Sequence, residues 1–130
     1  MVASSPVGDK GVGLALFNDY MTEAGADPDA IFVTTSYDAA FLLALAMEKA
    51  GSADRAAIAG AIRDVATAPG VEIYPGEWRK ARLAIAAGMD VDYEGAAGDH
   101  EFDENGDVPG TYALFKVSAD GKLVKEADMK

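Results

Sequence analysis

The stretch SYDAAFLLALAMEKAG, residues 36–51, predicts the helix around which the rest of this chain must fold. Ser36 is a typical N-cap residue, Asp38 complements the helix dipole in the first turn, and Gly51 follows the last predicted helical residue, Ala50. Between these two ends the helix has no polar face before position 48. Its large side chains there are all apolar, namely Phe41, Leu42, Leu43, Leu45 and Met47. We therefore expect this helix to be buried on most sides and to form the centre of the core.

Three further helices are predicted on either side of this one. Apolar residues recur at helical spacing over 12–24, 53–66 and 77–87, and Gly25, Pro69-Gly70 and Gly88 follow as stop signals. The run from Ile31 to Thr35 is rich in β-branched residues and predicts a strand or an extended connection.

The chain is expected to end in a β-hairpin. Residues 111–117 alternate in the manner of a strand, Asp120-Gly121 is a hairpin turn signal, and residues 123–125 can pair back. The fold class is therefore α/β, with helices followed by a C-terminal hairpin. Because a sheet normally interleaves with its helices, this order suggests a piece of a larger protein.

Composition limits the function. The 130 residues, 50% of them hydrophobic, are enough for one domain. The 22 acidic residues outnumber 11 basic ones, and the net charge of -11 argues against nucleic acid or an anionic membrane as partner. The absence of cysteine excludes disulfides and thiolate metal sites. The longest apolar run, residues 39–47, is shorter than the ~20 residues that span a bilayer.

The N-terminal residues 1–11 lack the basic start and apolar core of a secretory signal. We expect them to be a disordered or artificial chain end outside the fold, so that residues 12–130 form the folded part.

The acidic stretch EFDENGDVPG, residues 101–110, can be read as a metal loop or as a turn. A calcium loop that began at Asp103 would need glycine at its sixth position and glutamate at its twelfth, where this chain has Val108 and Leu114. The alternative is a tight turn at Asn105-Gly106, with nearby carboxylates bonded to backbone amides. We therefore predict a turn and no metal.

His100 is the single histidine, and its acidic surroundings favour an exposed loop residue over a ligand or a general base. A small acidic hydrolase that uses His100 or a pair of acids is a third candidate function. It would require those groups to lie in a buried cleft with shifted pKa values.

Three ordered segments carry a family resemblance: TTSYDAAFLLALAMEKAGSADRAAIAGAIRDVATAPG (residues 34–70), PGEWRKARLAIAAGMDVDYEGAAG (75–98) and EFDENGDVPGTYALFKVSADGK (101–122). Together they resemble the C-terminal part of periplasmic amino-acid-binding proteins of the branched-chain amino-acid ABC transporter type. The resemblance extends over about residues 12–126. It implies a fragment of a two-lobed type I periplasmic-binding-protein fold that closes on a small solute.

The resemblance also implies a role. It implies a non-enzymatic periplasmic protein without cofactor, which delivers an amino acid or a similar solute to an ABC permease in the membrane. One crossing of the chain between lobes would fall near residues 108–111, with Phe102 as a packing anchor beside it. A ligand-sensing domain of a signalling receptor uses the same fold and is the main alternative. A cleavable signal peptide would favour transport, and a fused membrane helix with a kinase or channel would favour sensing.

The stretch FVTTSYDA, residues 32–39, corresponds to a segment near the ligand cleft in the similar proteins. Phe32 matches a position that can touch the ligand side chain, and Tyr37 and Asp38 are further ligand-binding candidates. Phe32 and Tyr37 can equally be core aromatics, and Asp38 a dipole partner. Because most of the hydroxyl groups that hold the ligand carboxylate lie upstream in the family, we expect an incomplete site. Apolar surface exposed in the isolated chain can drive dimerisation, for example by exchange of the terminal strands.

Overall fold

The computed structural model describes residues 1–8 and 11–129, which form four α-helices and five strands. The helices are α1 (Val12–Glu23), α2 (Val33–Ala50), α3 (Arg55–Ala61) and α4 (Trp78–Ala86). The strands are β1 (Val2–Val7), β2 (Val71–Ile73), β3 (Val91–Tyr93), β4 (Thr111–Val117) and β5 (Leu123–Met129). The predicted α/β class, with helices followed by a terminal hairpin, is confirmed.

Helix α2 is the centre of the core, as the sequence predicts. Leu45 and Ala46 have no exposed surface, and Gly51 ends the helix in the left-handed conformation, with φ 59°. The prediction that α2 is buried on most sides is wrong, because Leu43 and Met47 are 47% and 41% exposed. Among the described residues, no helix is both long and apolar enough to cross a membrane.

Helix α2 starts earlier than the sequence predicts. Residues 31–35 are not a strand: the helix begins at Val33, and the N-cap is Phe32 rather than Ser36. The Phe32 carbonyl accepts hydrogen bonds from the Ser36 amide, at 2.9 Å, and from the Thr35 hydroxyl, at 3.0 Å. These local bonds outweigh the weak β propensity of the branched side chains.

The predicted helix over 53–66 is divided into α3 and a 3-10 turn at Arg63–Val65. Asp54 caps α3, because its side chain accepts hydrogen bonds from the amides of Ala56 and Ala57 at 3.0 and 3.2 Å. The 3-10 turn redirects the chain so that Val65 and Ala66 become fully buried beneath α2.

Two short strands that the sequence analysis did not predict complete the core. β2 and β3 pair in parallel, from Val71↔Val91 to Ile73↔Tyr93, and α4 connects them. Each strand has three residues, which is too short for a periodic signal. One face of this small sheet packs with α2 and α4 in the hydrophobic core.

The N-terminal segment also differs from the prediction. β1 pairs antiparallel with β4 over its whole length, and the terminal sheet has the order β1-β4-β5. The expected disordered chain end is therefore wrong for Val2–Val7, while positions 9 and 10 lie outside the described residues. Pro6 lacks an N–H group, and it is tolerated because β1 is an edge strand. Pairing with a partner far along the chain leaves little local signal in the sequence.

The acidic stretch is a turn, as predicted. The Asp103 carboxylate accepts hydrogen bonds from the backbone amides of Asn105 and Asp107, both at 2.8 Å, and Gly106 has φ 91°. These bonds, led by the one from Asp107, lower the pKa of Asp103. Phe102 packs against the core. Within residues 1–8 and 11–129, no group of three or more His, Asp or Glu side chains is arranged to hold a metal ion.

The position of α1 depends on a close approach at Gly13. A Cβ atom there would lie 2.1 Å from the carbonyl oxygen of Gly95. Gly13→Ala should therefore reduce the free energy of unfolding by about 2 kcal/mol or more, because backbone must move to relieve the overlap. Gly60→Ala is the matched control, since α3 leaves space there, and it should be stabilising by about 0.5–1 kcal/mol. Urea denaturation measures both; equal effects would contradict the close packing of α1.

Candidate functional site

A cleft of about 470 Å³ lies between the terminal sheet and the segment that joins α1 to α2. We call it the sheet–helix cleft, and its volume is within the ~300–1,000 Å³ typical of small-molecule sites. Its lining comprises Ser5–Gly8, Leu14, Asn18, Pro28–Thr34, Phe115, Leu123 and Lys125. The cleft is thus bounded by β4 and β5 on one side and by the start of α2 on the other.

Phe32 is the most distinctive residue of the cleft. It is the single non-glycine residue with positive φ among those described, at 64°, and its side chain is 55% exposed. Such a conformation costs about 1–3 kcal/mol, and residues of this kind cluster at functional sites. The structure therefore places the predicted ligand-contacting aromatic in the cleft, at the N-terminus of α2.

The polar side chains of the cleft are incompletely paired among the described residues. The Oδ1 atom of Asn18 is buried and has no hydrogen-bond partner among the described residues. The ammonium group of Lys125 is paired with Asp128, with 2.5 Å between Nζ and Oδ1. Because a buried polar atom without a partner is costly, Asn18 is suited to receive a hydrogen bond from a bound molecule. Nothing in the sequence distinguishes this asparagine.

Tyr37 does not line the cleft but holds α2 to the turn between β2 and α4. Its hydroxyl accepts a hydrogen bond from the Gly76 amide at 2.9 Å. Its ring packs between Phe17 and Phe41, with centroid distances of 5.2 and 5.8 Å. Burial is the main cause that raises the pKa of the Tyr37 hydroxyl. These contacts are those of a core aromatic, which is the alternative interpretation of Tyr37.

Asp38 is fully buried and holds the loop that follows β3. Its carboxylate accepts hydrogen bonds from the Tyr93 hydroxyl at 2.7 Å and from the amides of Ala96 and Ala97 at 2.9 and 2.6 Å. Burial and the nearby Asp38 charge raise the pKa of Tyr93. Because α2 begins at Val33, Asp38 lies in the second turn, and its interpretation as a first-turn dipole partner is wrong.

His100 is not the exposed loop residue that the sequence suggests. Its side chain is only 14% exposed, and its Nε2 atom lies 3.7 Å from Asp38 Oδ2. The ring packs against Tyr93, with 5.7 Å between centroids, and Nδ1 has no partner among the described residues. The fold of the loop after β3, where Glu94 and Asp99 form a β-bridge, brings His100 inward.

The three predicted site residues are therefore not brought together. Phe32 faces the sheet–helix cleft, whereas Tyr37 and Asp38 lie on the part of α2 that packs into the body of the domain. The site contributed by this chain combines one exposed aromatic ring and apolar walls with the polar side chains of Ser5, Asn18, Asp29, Thr34 and Lys125. This combination is suited to hold a small molecule.

Comparison with known protein families identifies a ligand-binding domain. Residues 14–120 match the family described as the receptor family ligand binding region, and the chain belongs to that family. The family has the type I periplasmic-binding-protein-like fold and includes both transporter binding proteins and receptors, so the predicted fold class is confirmed. No curated protein and no solved structure matches the chain.

Asp38→Asn provides a test of the buried carboxylate. The substituted amide group would point its own N–H groups towards at least one of the three donors, so we expect a loss of about 2–4 kcal/mol in the free energy of unfolding. Glu104→Gln removes the same charge from an exposed position and should change stability by less than about 0.5 kcal/mol. Chemical denaturation with circular dichroism measures both. A similar small loss in the two variants would mean that Asp38 does not support the fold.

Proposed function

We propose that this chain is the C-terminal part of a solute-binding protein of the branched-chain amino-acid ABC transporter type. It would contribute part of a cleft that binds an amino acid or a similar small solute for delivery to a membrane permease. The observation that carries the proposal is the strained, half-exposed Phe32 at the N-terminus of α2, inside a cleft of suitable size.

The chemistry of the cleft supports a small, partly apolar ligand. Leu14, Ile31, Phe115 and Leu123 provide apolar contacts, and Phe32 offers a ring face. Among the described residues that line the cleft, Asn18 Oδ1 is a buried acceptor without a partner, which suits an N–H group of the ligand. Because most of these contacts are with the body of a ligand, further groups from another part of the protein would complete recognition of its charged ends.

Closure around the ligand has a structural basis in residues 108–111. The segment Val108–Gly110 has no regular secondary structure and leads directly into β4. Since β4 and β5 form one wall of the cleft and the start of α2 the other, a bend at this segment would change the width of the cleft. A ligand that contacts both walls would then stabilise the closed state by its differential affinity.

The proposal includes binding without catalysis, a periplasmic location and an ABC permease as the partner. The ordered resemblance over residues 12–126 supports each of these points, and membership of a ligand-binding family supports the binding of a ligand. A ligand-sensing domain of a signalling receptor is the second candidate, because the family description names receptors. Deletion of the gene would abolish uptake of the ligand under the first proposal and a ligand-induced response under the second.

The test is a thermal-shift panel of the amino acids, run on this chain and on a version joined to the upstream sequence of its gene. At a ligand concentration of about 100 times Kd, binding should add about 2.7 kcal/mol to the stability of the native state. We expect a clear shift for at least one apolar amino acid in the longer version. A folded longer version without any shift would contradict the amino-acid proposal.

The role of Phe32 has its own test in the longer version. Phe32→Ala should weaken binding of the amino acid by about tenfold, since loss of a partly buried aromatic contact is worth about 1–2 kcal/mol. Leu83→Ala is the control, because Leu83 is 63% exposed on α4 and does not line the cleft. Titration calorimetry measures both variants. Unchanged affinity in Phe32→Ala would remove this residue from the site.

A further inference from the structure

The β2–β3 sheet has a second face that carries acidic side chains, separate from the sheet–helix cleft. Glu72 and Asp92 are partners in the parallel register, so they lie on the same face, and Glu94 follows two residues later. Asp99 is paired with Glu94 in a β-bridge, and Glu101 adds a fifth carboxylate beside Asp92. We call these five residues the acidic face.

No ion pair compensates these charges within the part of the chain that the structure describes. Two of the carboxylates are held in place by neutral donors. The Tyr74 hydroxyl donates to Glu72 at 2.8 Å, and the Ala68 amide donates to Glu101 at 2.8 Å. The acidic face is therefore positioned but electrostatically unbalanced.

Asp92 is the most unusual residue of the acidic face. It is only 6% exposed, and its Oδ1 atom is buried without a hydrogen-bond partner among the described residues. A buried carboxylate oxygen without a donor is rare in native proteins and strongly unfavourable. The Asp92 carboxylate therefore requires a hydrogen-bond donor that the described residues do not provide.

The titration behaviour of the face agrees with this geometry. Burial, followed by the charges of neighbouring carboxylates, raises the pKa of both Asp92 and Glu94. Because a raised pKa means that the folded state binds more protons than the unfolded state, these two groups make the chain less stable as pH rises through their folded pKa values. A positively charged group bound at the acidic face would lower these pKa values and so counteract this loss of stability.

The opposite face of the same sheet explains why a cover is expected. Ile73, Val91 and Tyr93 are fully buried against the helices. Parallel sheets occur almost always with both faces covered, because their connections place helices on the faces. In this chain the helices that contact β2 and β3 pack on the core face. On the acidic face Asp92 is nearly buried, whereas Glu94 is partly exposed and Glu72 is exposed.

We propose that the acidic face is a docking surface for a basic polypeptide segment that places an arginine or lysine side chain against Asp92. Arginine is especially suitable, since its planar guanidinium group can donate two parallel hydrogen bonds to one carboxylate. A second copy of this chain is not the occupant, because two molecules with a net charge of -11 repel each other. The charge complementarity and the orphan oxygen of Asp92 together define the partner chemistry.

The test measures binding of a fluorescent, alanine-based helical peptide with three arginines on one face, at low salt, by anisotropy. The same peptide with glutamines in place of the arginines is the ligand control. We expect the arginine peptide to bind the full chain at least tenfold more tightly than the glutamine peptide. Equal binding of the two peptides would overturn the proposal.

Two double variants with the same change in charge locate the binding. Glu72→Gln with Glu94→Gln alters the acidic face, whereas Glu23→Gln with Glu104→Gln alters exposed carboxylates elsewhere. We expect at least a tenfold loss for the first pair and less than a twofold loss for the second. An equal loss in both would reduce the interaction to non-specific attraction and overturn the proposal.

Asp92→Asn and a metal competition complete the experiment. In a folded Asp92→Asn variant, the arginine peptide should bind at least fivefold more weakly, and the decrease of stability between acidic and neutral pH should be smaller. Displacement of the peptide by millimolar Mg²⁺ or Ca²⁺, but not by Na⁺ at equal ionic strength, would identify a metal site and overturn the proposal. The surface pair Glu72→Gln and Glu94→Gln keeps the test decisive if Asp92→Asn is unstable.

Discussion

The buried carboxylate of Asp38 is the interaction on which most of the other features depend. It joins the second turn of α2 to the Tyr93 hydroxyl and to two backbone amides in the loop after β3, with no exposed surface. In a low-dielectric interior such charge-assisted bonds are strong, and a missing partner would be expensive. Asp38 therefore determines where the loop after β3 lies, and with it the positions of His100 and of α1, whose Gly13 contacts that loop.

The cleft follows from this arrangement. Once α2 is anchored at Tyr37 and Asp38, its N-terminus and the strained Phe32 are directed towards the terminal sheet rather than into the core. The packing of the rest of the domain offsets the unfavourable free energy of the Phe32 backbone conformation, which is a common arrangement at ligand sites. A side chain at the terminus of a well-packed helix is held more precisely than one on a free loop.

The domain presents two surfaces with different chemistry. The sheet–helix cleft combines apolar walls with a small set of polar side chains, as small-molecule sites usually do. The acidic face has closely spaced carboxylates, one of them buried, and is suited to a cationic partner. The high negative charge of the chain is thus not spread evenly as a solubilising surface, because part of it is concentrated on one face of the β2–β3 sheet. The two surfaces can act independently, since their lining residues do not overlap.

Local sequence signals determined a large part of this protein. The body of α2, its stop at Gly51, the turn at Asn105-Gly106 and the final hairpin depend on neighbours a few residues away, and they were predictable for that reason. Pairing between distant segments decided the rest. β1 forms because it pairs with β4, and β2 and β3 form because α4 brings two three-residue segments side by side. The candidate site shows the same division. The family resemblance indicated Phe32 as a candidate, whereas only the tertiary structure placed Asp38 in the interior and Asn18 in the cleft. Burial depends on contacts between residues that are distant in the chain, and periodicity and spacing carry no information about such contacts.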